Sequence, residues 1–398
     1  MLDTITSANA WLNGYVWGPP LIVLLMGTGV LLLFVTGGVQ FRHIGTALGE
    51  VLGKLRHRAG EGTVSPFQAV ATALASTVGV GNIAGVATAI FLGGPGALFW
   101  LWVSGLLGMG TKYAEIVIAL HYRERDASGI WRGGAMYTLK KRGLGWLGAI
   151  FALLTSIAAF AEVLVPFMAI LYLAGGLVLL ILNAGQIPNA LSLVFDGAFN
   201  GTAATGGFAG ASIMFAMRYG MARGLFSNEA GLGSAPMVHA TAQTDHPVRQ
   251  GLYGIFEVFV DTILICTTTG LAILVTGTWD GGATGAALSV QAFSTGLPGT
   301  WGGIIVTSGL VLFAYSTLIG WSYYGETGIV YLLGTRAALP YRILWLVFTY
   351  LGAVGSLHLV WDIADTLNGL MAIPNLISVL ISIPLLRKLH VEFFKSRR

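Results

Sequence analysis

The sequence predicts an all-α integral membrane protein, and its composition, hydropathy pattern and charge distribution carry that prediction. Of the 398 residues, 55% are apolar and only 10% are charged, whereas soluble domains contain about 25% charged residues. The apolar residues form long uninterrupted segments, which exclude a β-barrel built from alternating strands of about ten residues. The single cysteine, Cys266, cannot form an internal disulfide and says nothing about the redox environment.

The basic residues predict the topology. All Lys and Arg except Lys112 fall in five segments, 42–58, 123–142, 218–249, 336–342 and 387–398. The turns around Asp3, Gly94, Asp196, Asp280 and Asp362 carry none. By the positive-inside rule the five segments are cytoplasmic, so the N-terminus is expected outside and the C-terminus in the cytoplasm of a cell with this protein in its inner (plasma) membrane. Because these charges are dispersed over loops, they do not form a nucleic-acid patch.

Taken in order, the apolar segments predict the crossings. The chain start lacks the basic region of a signal peptide, so 20–38 is expected to be a retained helix. Further crossings are predicted at 67–92, 97–120, 250–277, 303–333, 342–361 and 366–386. Segment 41–55 is amphipathic and is expected along the inner surface, and 189–200 and 285–295 are expected as outer caps.

The region between Arg142 and Arg218 does not fit a simple count. Residues 145–183 are 39 mostly apolar residues without a turn, which would make a helix of about 58 Å against a ~30 Å bilayer core. Both ends of the region are basic and therefore expected in the cytoplasm, so the chain between them must cross the membrane an even number of times. If 206–217 is one crossing, residues 145–183 must together make only one more.

Two stretches interrupt their helices with small polar residues. Ala73–Gly85 holds three glycines, two hydroxyls and an amide, and Arg218–Pro236 combines an amide, hydroxyls and glycines around a break predicted at 220–224. Broken membrane helices offer half-helix ends and free carbonyls to ions and small zwitterions. For the first stretch a close-packed helix crossing is an equally supported alternative, because Gly81 and Gly85 have small-xxx-small spacing.

Several ionisable and hydroxyl side chains lie inside apolar segments. Lys112 and Glu115 share a helical face, and we favour a structural ion pair over a functional one. Glu257 and Asp261 also share a face; Asp261 is either a cation ligand or a hydrogen-bond partner of nearby backbone. In 303–333, Ser316 and Thr317 are candidate ion ligands. Trp321 and Tyr324 line the same side, although aromatic residues also form interfacial belts.

Enzyme signatures are weak. His239 and His246 lie eight or more residues from any plausible partner ligand, and neither HExxH nor GxSxG occurs. Gly-Val-Gly-Asn at 79–82 is not a phosphate loop, since no Lys-Ser/Thr follows it. We therefore expect no enzyme activity and no cofactor.

The motifs resemble those of the alanine or glycine:cation symporter family. The resemblance covers nearly the whole chain in order and is carried by 73–85, 93–115, Gly133-Gly-Ala-Met-Tyr137, Gly224-Leu-Phe-Ser-Asn-Glu-Ala-Gly231, Pro236 and Ile319-Gly-Trp-Ser-Tyr-Tyr-Gly-Glu326. It implies a LeuT-like transporter fold of five-plus-five inverted repeats with one extra N-terminal helix. It also implies import of alanine, glycine or a similar small amino acid, driven by sodium or sometimes protons.

The resemblance also implies a site between the two broken helices. The substrate would be held by Thr77, Gly79, Gly81, Asn82, Phe226, Ser227, Asn228, Thr317 and Trp321. Sodium would be held by Thr77, Val80, Ser316, Thr317 and Asp261. The partners implied are therefore a small amino acid, Na⁺ and the lipid bilayer, with no prediction of oligomeric state.

One departure from the family is expected to matter. Members usually have about fifty more residues after Phe160, comprising half of the third core helix and the whole fourth. Their loss leaves about nine crossings and removes one wall of the substrate site. A single domain, 1–398, is predicted, with the extra helix at 20–38, a remnant of the first repeat at 67–183, the fifth-helix exit loop and second repeat at 184–386, and a basic tail at 387–398.

The sequence thus predicts sodium-coupled symport of a small neutral amino acid into the cytoplasm by alternating access. Proton coupling, with Asp261 or Glu115 titrating, is the alternative within the same fold. The alternative from a different functional class is a membrane protein that binds an amino acid without transporting it. The missing segment favours this alternative.

Overall fold

The computed structural model describes residues 2–53, 60–158, 166–200, 212–354 and 357–396. These residues are almost entirely helical, which confirms the predicted all-α class. The described part up to residue 158 contains α1 (Leu2–Val16), α2 (Pro19–Val35), α3 (Val39–Arg42), α4 (Ile44–Gly53), α5 (Pro66–Thr77), α6 (Val86–Gly93), α7 (Ala97–Tyr122), α8 (Ala135–Lys141) and α9 (Gly145–Ala158). Two two-residue strands, β1 (Glu124–Arg125) and β2 (Trp131–Arg132), pair antiparallel between α7 and α8.

The described part from residue 166 onward is also helical. It contains α10 (Pro166–Leu182), α11 (Ile187–Phe199), α12 (Ser212–Asn228), α13 (Ala235–His239), α14 (Pro247–Val258), α15 (Thr267–Val275), α16 (Gly285–Gly296), α17 (Trp301–Leu333), α18 (Ala338–Val354), α19 (Leu357–Ile381) and α20 (Ile383–Lys395). Two π-helical segments, Gly81–Gly85 and Phe259–Cys266, connect α5 to α6 and α14 to α15. Short 3₁₀ turns occur at Ala184–Gln186, Thr278–Asp280 and Thr335–Ala337.

Several helices are suited to cross a bilayer. Five stretches are long and apolar enough on their own: Thr6–Val35, Ala97–Tyr122, Pro247–Val275, Trp301–Leu333 and Ile363–Ile381. Two bent pairs fit broken crossings: Pro66–Thr77 with Gly81–Gly93, at 46°, and Ala169–Leu182 with Ala184–Phe199, at 76°. The described residues thus hold five to seven candidate crossings, against about nine predicted. The predicted crossings at 206–217 and 342–361 lie partly outside the described residues, where α12 and α18 are described over 17 residues each.

Helix α7 is the central element of the molecule. It is buried continuously from Gly108 to Leu120, and its 26 residues span about 39 Å at 1.5 Å per residue. It therefore defines two ends of the fold, which we call the Gly94 end and the Arg123 end after the residues that flank it. Of the long run at 145–183, the structure describes α9 up to Ala158 and α10 from Pro166, and residues 159–165 lie outside the described part.

The predicted break at 220–224 is wrong. α12 is continuous from Ser212 to Asn228, and the interruption lies at 229–234 instead. Gly220 and Gly224 serve close packing on α7: a Cβ on Gly220 would lie 2.2 Å from the Ala97 carbonyl oxygen, and one on Gly224 would lie 2.7 Å from Ser104 Oγ. These glycines therefore mark a helix crossing rather than a break.

The prediction that 218–249 lies on one side of the membrane is also wrong. The start of α12 packs at the Gly94 end, where a Cβ on Gly93 would lie 3.1 Å from Ala216 Cα. At the Arg123 end, Arg123 donates to the carbonyl oxygens of Ala240 and Ala242 at 2.9 and 2.8 Å. The chain between these points therefore runs the length of α7 and separates Arg218 from Arg249.

Candidate functional site

The side-chain amide of Asn82 stabilises the break in the first broken helix. The Gly79 N–H donates to Asn82 Oδ1 at 2.7 Å, and the Asn82 N–H donates to the Gly79 carbonyl at 3.2 Å. Asn82 is fully buried, so its side chain replaces the helical hydrogen bonds lost at the bend. This satisfies backbone groups that a membrane interior would otherwise leave unpaired.

Asp261 connects the two broken helices. Its carboxylate accepts from Asn82 Nδ2 at 2.7 Å and from Ser227 Oγ at 3.0 Å. The Thr262 hydroxyl donates to the second carboxylate oxygen at 2.8 Å and accepts from Asn228 Nδ2 at 3.0 Å. Asp261 lies on the π-helical segment Phe259–Cys266, a local geometry that occurs frequently at functional sites. Three elements are thereby joined at one buried carboxylate.

The second break is held by charged residues of α7. Lys112 Nζ donates to the Asn228 carbonyl at 2.7 Å, which caps the end of α12. Glu115 Oε1 accepts from the Gly231 N–H at 2.9 Å and from Asn375 Nδ2. Lys112 forms its ion pair with Glu257, at 3.2 Å and with both side chains fully buried, so the predicted Lys112–Glu115 pair is wrong.

A polar cleft lies between the two breaks and the helices α17 and α19. Its empty volume is about 450 Å³, including the space at its mouth, and it is lined by Ser76, Thr77, Gly79, Gly81, Phe226, Glu229, Thr317, Trp321, Ala364 and Asn368. Two buried atoms in this lining, Thr317 Oγ1 and Asn368 Oδ1, have no hydrogen-bond partner among the residues that the structure describes. Buried polar atoms are nearly always paired, so these two mark places for a ligand.

The approach of Thr317 to the first break requires glycine. A Cβ on Gly79 would lie 2.4 Å from Thr317 Oγ1, so a side chain there would force the Thr317 hydroxyl to turn away or α17 to move. Thr77 Oγ1 donates to the Ala73 carbonyl at 3.1 Å, which leaves its lone pairs available. The hydroxyls of Thr77 on α5 and Thr317 on α17 thus line one cleft, and oxygen ligands of this kind suit a small hard cation.

The predicted site residues fall into two groups. Six line the cleft: Thr77, Gly79, Gly81, Phe226, Thr317 and Trp321. Asn82, Ser227, Asn228 and Asp261 lie behind it in the hydrogen bonds described above. Val80 is half-buried beside the break, and the Ser316 side chain lies outside the part of the structure that is described.

The sequence analysis missed four residues of the cleft lining, namely Ser76, Glu229, Ala364 and Asn368. Glu229 lies in the motif Gly224–Gly231 that carries the family resemblance, but the sequence alone did not show that it is buried at the cleft. Asn368 is an amide inside an apolar segment, and that signal alone could have made it a candidate. Ser76 and Ala364 carry no such signal, because small residues are common in membrane helices.

Ion pairs and polar contacts lie near both ends of the broken helices. Arg223 donates to the two carboxylate oxygens of Asp365 at 2.9 and 2.7 Å, which joins α12 to α19 next to Phe226. At the Arg123 end, Arg123 also donates to the Glu61 carbonyl at 2.7 Å. There the segments before α5 and after α13 pair as isolated bridges, Glu61 with Thr244 and Val64 with Ala242.

Comparison with known proteins identifies similar sequences over nearly the whole chain. The model of the sodium:alanine symporter family matches residues 2–157 and 149–398. The sodium/alanine symporter AgcS of Methanococcus maripaludis is 44% identical, over 96% of this chain and 95% of its own length. The probable sodium/glutamine symporter GlnT of Bacillus subtilis is 36% identical, over 92% of this chain and 86% of its own.

A segment present in the relatives has no counterpart here. An uncharacterized transporter of Haemophilus influenzae is 43% identical over an alignment of 445 residues that covers 99% of this chain and 96% of the relative. Since the chain has 398 residues, at least 47 alignment positions lack a residue of this chain. The family model likewise matches as two segments that meet at 149–157. Both observations agree with the missing segment predicted after Phe160, a position outside the described residues.

Proposed function

Because the chain belongs to the sodium:alanine symporter family, a family of cation-coupled amino-acid transporters and not of enzymes, we propose that it imports a small neutral amino acid, alanine or glycine, together with sodium. One observation carries this proposal: the cleft between the two broken helices, where the Thr317 hydroxyl lies beside the break at Gly79 and has no hydrogen-bond partner within the described part of the chain. Half-helix ends beside unpaired hydroxyls suit a zwitterion and a cation together.

The proposed site uses the first break for the substrate carboxylate. Gly79 and Gly81 present backbone without side chains to the cleft, and Phe226 and Trp321 limit the space for a substrate side chain. Asn82, Ser227 and Asn228 hold this arrangement from behind. We place sodium between Thr77, Val80, Ser316 and Thr317. Asp261 is the fifth predicted ligand, and its hydrogen bonds from three side chains favour a role in joining the helices.

At the level of fold, we propose that α5–α6 and α12–α13 are the first and sixth core helices of a five-plus-five inverted repeat. Both pairs are broken, both line the cleft, and Asp261 joins both. The N-terminus would be outside and the C-terminus in the cytoplasm. Alternating access would then open the cleft in turn at the Gly94 end and at the Arg123 end.

Uptake of radiolabelled alanine into proteoliposomes tests the proposal. We expect accumulation driven by an inward sodium gradient. This accumulation should disappear when choline replaces sodium, and unlabelled glycine should inhibit it by competition. Empty liposomes and a Gly79→Ala variant are the controls. Accumulation that follows a proton gradient and is indifferent to sodium would contradict sodium coupling and favour the proton-coupled alternative.

The missing segment favours one second candidate, an amino-acid-binding protein that does not transport. The chain lacks at least 47 positions of its relatives, in a region predicted to form part of the substrate wall. Equilibrium binding of alanine to the purified protein, measured beside the uptake assay, separates the two candidates. Sodium-dependent binding with no accumulation under any gradient would support the binding protein.

A further inference from the structure

Glu229 is a buried carboxylate placed at the cleft by an unusual backbone. Its φ is +55°, the one positive φ of a non-glycine residue in the described chain, and its side chain is 1% exposed. Side chains rarely adopt this conformation, and its free-energy cost is offset by the surrounding structure. Ser234 Oγ donates to Glu229 Oε2 at 2.5 Å, and Trp321 lines the same cleft. Glu229 is thus fixed in the cleft lining.

The basic groups around this part of the cleft are engaged elsewhere. Lys112 pairs with Glu257 and caps the Asn228 carbonyl. Arg223 is joined to both carboxylate oxygens of Asp365. Glu229 has no salt bridge within the described residues, so these residues do not supply a positive charge bonded to its carboxylate.

Asn368 adds an acceptor to the same cleft. It lies on α19, is 5% exposed, and its Oδ1 has no hydrogen-bond partner among the described residues. An unpaired buried acceptor costs free energy unless a ligand supplies a donor. A carboxylate and an amide oxygen together suit a group that carries several N–H donors and a positive charge, which is the chemistry of a primary ammonium.

We propose that Glu229 and Asn368 form an ammonium subsite that selects substrates with a free α-amino group. The inference rests on the proposed function, because it assigns one end of the zwitterion whose carboxylate would face Gly79 and Gly81. It also predicts which analogues are rejected: carboxylic acids in which a hydroxyl replaces the amine lose both the charge and two of the three donors. Discrimination of this kind is large when buried polar groups are left unpaired.

The test compares alanine with lactate, in which a hydroxyl replaces the amine, by equilibrium binding to the purified full-length protein in sodium. We expect the wild-type protein to prefer alanine by at least about a hundredfold. In Glu229→Gln and in Asn368→Ala this ratio should fall by about tenfold or more, chiefly through weaker alanine binding. A ratio of affinities separates recognition from fold, because a loss of active protein lowers the number of binding sites for both ligands alike and leaves the ratio unchanged.

Two further variants complete the test. Asn368→Asp keeps an acceptor and should retain or increase the preference for alanine. Glu392→Gln, on α20 outside the cleft, is the matched control and should leave the ratio unchanged. An unchanged ratio in Glu229→Gln and Asn368→Ala, with alanine bound tightly, would overturn the ammonium subsite while leaving the proposed function intact. Failure of the wild-type protein to bind alanine would contradict the proposed function itself.

Discussion

At the scale of single residues, the Asp261 carboxylate is the group that joins three side chains behind the cleft. Every bond to its carboxylate described above comes from a donor: the Asn82 amide, the Ser227 hydroxyl and the Thr262 hydroxyl. An amide in its place keeps one acceptor oxygen and would turn its N–H groups toward either the Thr262 hydroxyl or the Asn82 and Ser227 donors. The structure therefore favours a carboxylate at Asp261, which accepts on both oxygens.

We predict that Asp261→Asn lowers the free energy of unfolding by about 1–3 kcal/mol, the usual cost of leaving a buried polar group unsatisfied. Thermal unfolding of the detergent-purified protein, in the absence and presence of sodium, measures the effect. Asp196→Asn on the exposed surface of α11 is the matched control. If Asp261→Asn is as stable as the wild type but has lost the stabilisation by sodium, Asp261 is a sodium ligand, as the sequence analysis predicted.

The sequence predicted those residues of the site whose side chains differ in chemistry from the apolar residues around them in the same helix. Thr77, Gly79, Thr317 and Trp321 were identified and line the cleft. Asn82 was identified too, but the sequence could not indicate that its amide is consumed by Gly79 and Asp261. That distinction depends on hydrogen-bond partners from distant segments, and a sequence alone does not show which distant segments lie in contact.

At the scale of elements, the close approach of α5 and α17 rests on Gly79. With a methyl group there, Thr317 Oγ1 would be 2.4 Å from the new carbon, so either the hydroxyl would have to leave the cleft or the helices would have to separate. Such overpacking distorts neighbouring side chains and backbone. Gly79 thus sets the distance between the first break and the hydroxyls of α17.

We predict that Gly79→Ala lowers sodium-dependent alanine binding by at least about tenfold, because overpacking of roughly 1–3 kcal/mol must be accommodated at the site itself. Isothermal titration of the purified variant with alanine, at fixed sodium, measures this change. Gly45→Ala on α4 is the matched control, since nothing lies within 4 Å of a Cβ there. Wild-type affinity in Gly79→Ala would show that α17 does not contribute to the site.

The two interrupted stretches show what glycine patterns can and cannot predict. The first break was expected within Ala73–Gly85 and lies there, whereas Gly220 and Gly224 of the second pack a continuous helix against α7. Glycine permits both a break and a close crossing. What distinguishes them is the neighbouring helix, and the break at 229–234 is set by Lys112 and Glu115, more than a hundred residues earlier.

At the scale of the whole molecule, the Arg123 end is closed by backbone contacts. Arg123 donates to three carbonyl oxygens, those of Glu61, Ala240 and Ala242. These carbonyls belong to the segments just before α5 and just after α13, so a single guanidinium ties the two broken helices together. Any state that opens the cleft at this end must release these bonds.

We predict that Arg123→Gln speeds the labelling of Cys266 by a small membrane-permeant thiol reagent by roughly tenfold, since each lost hydrogen bond contributes about 0.5–1.5 kcal/mol. Cys266 is the single cysteine of the chain and is fully buried behind the cleft, 3.3 Å from Asn82 Nδ2. Arg125→Gln, at an arginine whose side chain is 58% exposed, is the matched control. Equal labelling rates in both variants and the wild type would contradict a closure by Arg123.

The whole-molecule topology was the least predictable level. The positive-inside rule counts charges in loops, and it placed Arg218 with Arg249 although α12 carries Arg218 at the Gly94 end. Charge counts along the sequence do not show that α12 runs along α7, and this packing is what separates Arg218 from Arg249. Arg223, on the same helix, is paired with Asp365.

The contacts at the two ends of the broken helices differ in kind. Arg223 and Asp365 are opposite charges with side chains 11% and 15% exposed, whereas Arg123 is bonded to neutral carbonyls. Dissolved ions screen the attraction between opposite charges, although less for a largely buried pair than for an exposed one, and they act little on a bond to an uncharged group. Added salt of any identity therefore weakens the Arg223–Asp365 contact modestly and leaves the Arg123 contacts nearly unchanged, independently of any specific binding of the sodium that we propose as the coupling ion.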